Sequence, residues 1–167
     1  MLNPSTLKTL YTSFVYPYLT YCIEVWGSAP RCYIDPIVKL QKRCCRIITK
    51  SPPRSASLPL FQQLNILPFP ALYEYSVLLF MNRHHRNLLP KALCQMFQPR
   101  NNQHSMTTRQ IGHLAIPRFR SKKSQTFISY TGVKLWNSLI GNYQIVTSIK
   151  KFKSDVISRI WQHLSNN

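Results

Sequence analysis

Acid side chains are almost missing: four Asp and Glu stand against 22 Lys and Arg in 167 residues, a formal net charge of +18. Nucleotidyl transfer and phosphodiester hydrolysis commonly depend on two metal ions held by clustered carboxylates, so this shortage removes most of that chemistry from the chain's own side chains. Glycine is as scarce, with four in all. That excludes a Gly-rich phosphate loop of the Walker or Rossmann kind and argues against a β-sandwich or barrel, which need many tight turns. There is no CxxC pair, and the five cysteines, Cys22, Cys32, Cys44, Cys45 and Cys94, are odd in number. They read as reduced core thiols of an intracellular protein, nuclear or cytoplasmic and not secreted. The longest uncharged stretch, Ser55 to Tyr73, carries three prolines together with Gln62, Gln63 and Asn65. Neither a membrane span nor a signal peptide is expected, and nothing calls for a cofactor or a small-molecule substrate.

Apolar and aromatic residues are plentiful. Three Trp, nine Tyr and eight Phe in a chain that is 44% apolar supply a packed core, which a disordered basic tail could not build. The expected fold is mainly α: a helical bundle with a long basic loop or small β-ribbon between the third helix region and the C-terminal helices. The expected organisation is a helical region at 1–97, a basic polar segment at 98–130, and C-terminal helices at 131–167 packing back on the first region as one domain.

Asn3-Pro4 is a helix start signal, and apolar residues recur at Leu7, Leu10, Tyr11, Phe14, Val15, Tyr18, Leu19, Cys22 and Trp26. One amphipathic helix is predicted up to Gly27, kinked at Pro17, where the Ser13 carbonyl loses its partner. Asp35-Pro36 repeats the signal for a second helix burying Ile37, Leu40, Cys44, Ile47 and Ile48 and stopped by Pro52-Pro53. A short helix around Leu60, Phe61 and Leu64 and a third from Pro70 follow. A ribbon could form from Gln110–Ile116 and Gln125–Tyr130. A helix at Lys134–Ile140, a turn at Gly141-Asn142 and a final helix capped by Ser148 complete the chain.

Three of the four carboxylates have structural employment on this reading: Asp35 as a cap, Glu74 in a first helical turn, and Asp155 paired with Arg159 four residues on. Glu24 is the odd one, close to a helix C-terminus, with Arg31 as compensation. His84-His85 puts two rings about 100° apart on a helix, and no His or Cys follows at zinc-site spacing. No metal site and no catalytic residue are predicted.

Two basic clusters remain. Lys39, Lys42, Arg43, Arg46 and Lys50, at offsets 0, 3, 4, 7 and 11, make one continuous helical stripe. Arg118, Phe119, Arg120, Ser121, Lys122 and Lys123 combine cations, a hydroxyl and a ring, a mixture that can hold a phosphate backbone and stack on an unpaired base. With so few acids to balance them, both clusters predict a polyanionic partner, RNA or DNA.

Four stretches then carry a family likeness. Leu10-Tyr11 through Tyr16-Pro17 and Tyr21-Cys22 to Val25-Trp26-Gly27, then Lys39 to Arg43 with Arg46-Ile47-Ile48, then Lys134-Leu135-Trp136-Asn137-Ser138-Leu139, and last Phe152-Lys153 occur in order and at similar spacing. Together they resemble the region following the polymerase domain in reverse transcriptases of non-LTR retrotransposons, jockey-like or LINE-type mobile elements. The resemblance covers nearly the whole chain. It implies the end of a thumb and the C-terminal region beyond it, which helps to grip template RNA and target DNA, and it implies structural parts for Tyr16, Pro17, Tyr21, Trp26, Gly27, Leu135 and Trp136. It also implies a polymerase core as a possible partner. The family's fingers, palm, paired aspartates and cysteine-histidine knuckle have no counterpart here, so the expectation is a truncated, non-catalytic copy of an RNA-directed DNA polymerase.

Overall fold

The computed structural model describes residues 2–100, 113–140 and 148–166, and it is mainly helical. The chain falls into two compact units, Met1–Tyr73 and Glu74–Asn167, a division different from 1–97, 98–130 and 131–167.

In the first unit α1 (Pro4–Leu10) starts at Asn3, whose side chain accepts the Ser5 N–H. It runs into a π-helical segment, Tyr11–Val15, closed by the Tyr16 N–H on the Tyr11 carbonyl, and then into α2 (Tyr16–Thr20). The wide turn makes room for the Pro17 ring, which an α-turn would press against the Ser13 carbonyl. The predicted single helix therefore ends early: Tyr21 is extended, Cys22 is left-handed at φ 49°, and α3 (Ile23–Trp26) is a separate turn. Glu24 consequently lies in the first turn of α3, where the helix dipole favours an anion.

The long helix α4 (Arg31–Thr49) begins five residues before Pro36, so Asp35 is an exposed interior residue and not a cap. Its buried positions are Gln41, Cys45 and Ile48, flanked by half-buried Ile34, Ile37, Val38 and Cys44. Leu40 and Ile47, expected inside, are 62% and 54% exposed. The cause is Gln41. Its amide donates to the Tyr11 hydroxyl and the Leu67 carbonyl, both at 3.0 Å, and accepts the Phe69 N–H at 2.8 Å. A buried amide with three partners is well satisfied, so the helix turns its glutamine inward and one apolar column outward. Burial, opposed by the Gln41 bond, pushes the Tyr11 hydroxyl up to about 12.

α5 (Ser57–Leu64) buries Leu60, Phe61 and Leu64 against this seam, and α6 (Phe69–His85) contributes its start, Phe69–Tyr73, to the first unit. Glu74 is thus the sixth residue of its helix and not in the first turn. With glycine scarce, α4, α5 and α6 end on left-handed Lys50, Asn65 and Asn87, and the N–H groups of Ser51, Ile66 and Leu88 reach back to Arg46, Phe61 and Arg83. Gly27 is where glycine is needed: a Cβ there would run into the Tyr73 ring and come within 2.6 Å of the Ile23 carbonyl.

In the second unit α7 (Lys91–Cys94) precedes a short antiparallel pairing, with Arg100 N–H donating to His113 O at 3.0 Å and Ala115 N–H to Gln98 O at 2.8 Å. Asn137 clamps Leu114 from both sides, accepting its N–H and donating to its carbonyl. The predicted ribbon is not formed as drawn: residues 110–112 lie outside the described residues, and Gln125–Tyr130 belongs to a 3-10 turn (Ser124–Thr126) and to α8 (Ile128–Ile140). The Gly141-Asn142 turn also lies outside them. Gly132 on α8 lets Met81 Sδ come within 3.0 Å of where a Cβ would be. The last helix, α9 (Ile149–Ser165), starts at Ser148, whose hydroxyl makes no capping bond, and buries Phe152, Val156 and Ile160 but leaves Ile149 exposed. Arg159 Nη1 is buried without a hydrogen-bond partner, so Asp155 does not supply one there.

Of the cysteines only Cys45 is buried, its thiol pushed up to about 11 by desolvation. Cys22 and Cys32 are exposed, which corrects the expectation of core thiols. They follow the break at Tyr21 and the outward face of α4, both decided by packing.

Candidate nucleic-acid interface

The five cations of the predicted stripe do not stand alike: four lie on α4, and Lys50 is the left-handed residue just beyond it. Lys39, Arg43 and Lys50 are exposed and Lys42 is half-buried, whereas Arg46 donates through Nε and Nη2 to the Ser55 carbonyl at 3.3 and 3.1 Å. Arg46 therefore ties the 51–55 loop to the helix. That bond keeps exposed Arg54 next to the end of the stripe, a cation that the helical period could not reveal. Like charges at three- and four-residue spacing repel, so a polyanion is the natural complement of this face. Asp35 is its one carboxylate, four residues before Lys39 and on the edge away from Leu40.

Beside the cations runs a feature missed by reading Leu40 and Ile47 as core: Tyr33, Leu40 and Ile47, 70%, 62% and 54% exposed. Seven-residue spacing next to a basic stripe was the available signal.

The second cluster, in the other unit, is a pinned turn. Arg118, Arg120, Lys122 and Lys123 are exposed. Phe119 is half-buried, edge-on to Phe127 with centroids 6.5 Å apart and tilted on Tyr130 at 6.3 Å. Its carbonyl accepts the Gln125 amide, Ser121 Oγ accepts the Ser124 N–H at 3.1 Å, and the Thr126 hydroxyl donates to the Lys123 carbonyl. The ring expected to stack on a base is engaged with its neighbours, and the cations face outward together with Phe127, which is 53% exposed.

The residues of the family likeness serve structure in both units. Trp26 donates its indole N–H to the Tyr21 carbonyl at 2.7 Å and stacks on Phe69 at 5.2 Å. Tyr16 and Pro17 open α2, and burial raises the Tyr16 hydroxyl above its ordinary range. Trp136 is buried between His85 at 5.7 Å and Phe152 at 6.1 Å, with Leu135 half-buried beside it. His84 meets Phe97 at 4.8 Å instead of sharing a ligand with His85. Among the described residues no three His, Cys, Asp or Glu come together as a metal site, and no single helix is long and apolar enough to cross a membrane. Comparison with protein-family models, curated proteins and solved structures returns no match.

Proposed function

We propose that this chain is a non-catalytic nucleic-acid-binding module, a fragment of a non-LTR retrotransposon reverse transcriptase that grips template RNA, target DNA or both. The observation that carries the reading is the face formed by exposed Lys39, Arg43 and Lys50 with half-buried Lys42 along a helix seated by Gln41, Cys45 and Ile48, in a chain of net charge +18. Phosphate neutralisation releases counterions, so affinity should fall steeply with salt. Charge reversal of Lys39, Lys42 and Arg43 to Glu spares Arg46, whose substitution would also free the 51–55 loop. At low salt the triple variant should bind RNA hairpins and DNA more than about 100-fold more weakly, with a log–log salt slope shallower by roughly 2 to 3. Unchanged affinity in fluorescence anisotropy would refute the reading, and Mg²⁺-dependent polymerase activity of the chain alone would refute its non-catalytic part.

One observation favours a second reading, an interaction remnant that docks on a polymerase core. Phe14, Tyr18, Tyr21 and Val25 are 67%, 81%, 77% and 78% exposed, a large apolar display for one short stretch. On that reading a purified polymerase core would bind the chain, and Tyr18→Asp with Val25→Asp would abolish the binding while leaving nucleic-acid affinity intact.

A further inference from the structure

Tyr33, Leu40 and Ile47 lie on a 19-residue helix whose opposite side is seated by Gln41, Cys45 and Ile48. Steps of seven residues fall just short of two turns, so the three side chains form one column drifting about 20° per step and about 21 Å long. Arg43 is three residues after Leu40 and four before Ile47, spacings that put it against both. Lys39 adjoins Arg43 at four residues, and exposed Pro36 fills the face between Tyr33 and Leu40. An apolar column and a cationic column thus run side by side on one face.

An occupant must offer flat apolar surface and closely spaced negative charge together. Duplex DNA offers the charge but hides its base faces in the stack. A single strand presents both, and base stacking on aromatic side chains is the usual complement to a basic groove. We infer that the Tyr33–Leu40–Ile47 column of α4 receives unpaired bases of a single strand whose phosphates lie along Lys39, Arg43 and Lys50, with Tyr33 as the stacking platform. This rests on the nucleic-acid reading above and adds to it a preference for single strands over duplex. The ring that composition offered for stacking, Phe119, is already packed on Phe127 and Tyr130, whereas Tyr33 is bare.

The full chain is titrated with a labelled single-stranded oligonucleotide and with a duplex of equal length at one salt concentration. Tyr33→Ala should weaken the single strand by about 5- to 100-fold and the duplex by less than about twofold, while Tyr33→Phe keeps wild-type affinity. Exposure of Tyr33 makes loss of fold a remote cause, and an unchanged thermal transition verifies that. Equal effects on both substrates, or none on either, overturn the inference. So does tighter binding to phosphatidylserine vesicles that Tyr33→Ala weakens, since the column would then meet a lipid surface. If the Lys39, Lys42 and Arg43 reversal still removes binding while Tyr33→Ala does nothing, only the stacking platform falls. If the reversal does nothing either, the nucleic-acid reading falls with it.

Discussion

The outward face of α4 and the Arg118–Lys123 turn have similar ingredients, cations interspersed with a ring, but they use the ring in opposite ways. In the turn Phe119 is drawn against Phe127 and Tyr130, and side-chain hydrogen bonds made by Gln125, Ser121 and Thr126 hold the backbone, so the ring among the cations is engaged and the exposed ring, Phe127, lies outside their run. On α4 the inward work belongs to Gln41, Cys45 and Ile48, which releases Tyr33, Leu40 and Ile47 to solvent beside Lys39 and Arg43. On the proposed reading the turn meets a phosphate backbone with its cations, whereas α4 meets backbone and base together, because an aromatic side chain is available for recognition only when the core does not need it.

The contrast breaks most readily at Gln41. Replacing it with Ala leaves the Leu67 carbonyl, the Phe69 N–H and the Tyr11 hydroxyl without their partner, and a stranded buried polar group is costly, so the first unit should lose about 3 kcal/mol in urea unfolding. A loss under about 1 kcal/mol would mean that the amide is not what orients α4. Next comes Phe119→Ala. Removal of a half-buried ring should cost about 2 kcal/mol while leaving single-strand affinity within about twofold of wild type. If affinity drops as far as it does for Tyr33→Ala, the two rings are equivalent and the contrast fails.

The smallest effect separates the regions by pH. Burial, aided by neighbouring His85 and opposed by a hydrogen bond with the Cys94 backbone, holds the His84 imidazole below its ordinary value. The folded state thus disfavours the protonated form. Stability is complete above the unfolded value of about 6.5 and is lost as pH falls through the lowered one. Residues 1–73 contain no histidine, so a mild-acid decline should fall on the second unit, and His84→Gln should flatten it in a pH series of thermal unfolding.

Helix content was legible because apolar spacing and Pro-Asx punctuation are local signals, and the Asn3-Pro4 start, α5 and the Ser148 start of α9 appear where those signals put them. The start of α4 lies upstream of Asp35-Pro36, which has the form of a cap, because the helix already begins after Pro30, which takes the N-cap position without a side-chain capping bond. The break at Tyr21–Cys22 carries no glycine to announce it. At the candidate interface the cations of α4 were legible as a stripe, but Arg46's bond to Ser55 and the inward pull on Phe119 depend on residues distant along the chain or on a turn with no period.

By itself the sequence determined a basic, carboxylate-poor, mainly helical chain, because charge balance and helical period are properties of composition and near neighbours. Only the tertiary structure decided which face of α4 is dry. Three long-range hydrogen bonds of Gln41, donated to the Tyr11 hydroxyl and the Leu67 carbonyl and accepted from the Phe69 N–H, make a polar residue more worth burying than Leu40 or Ile47. That exchange, which no local pattern encodes, puts the exposed apolar column next to the cations.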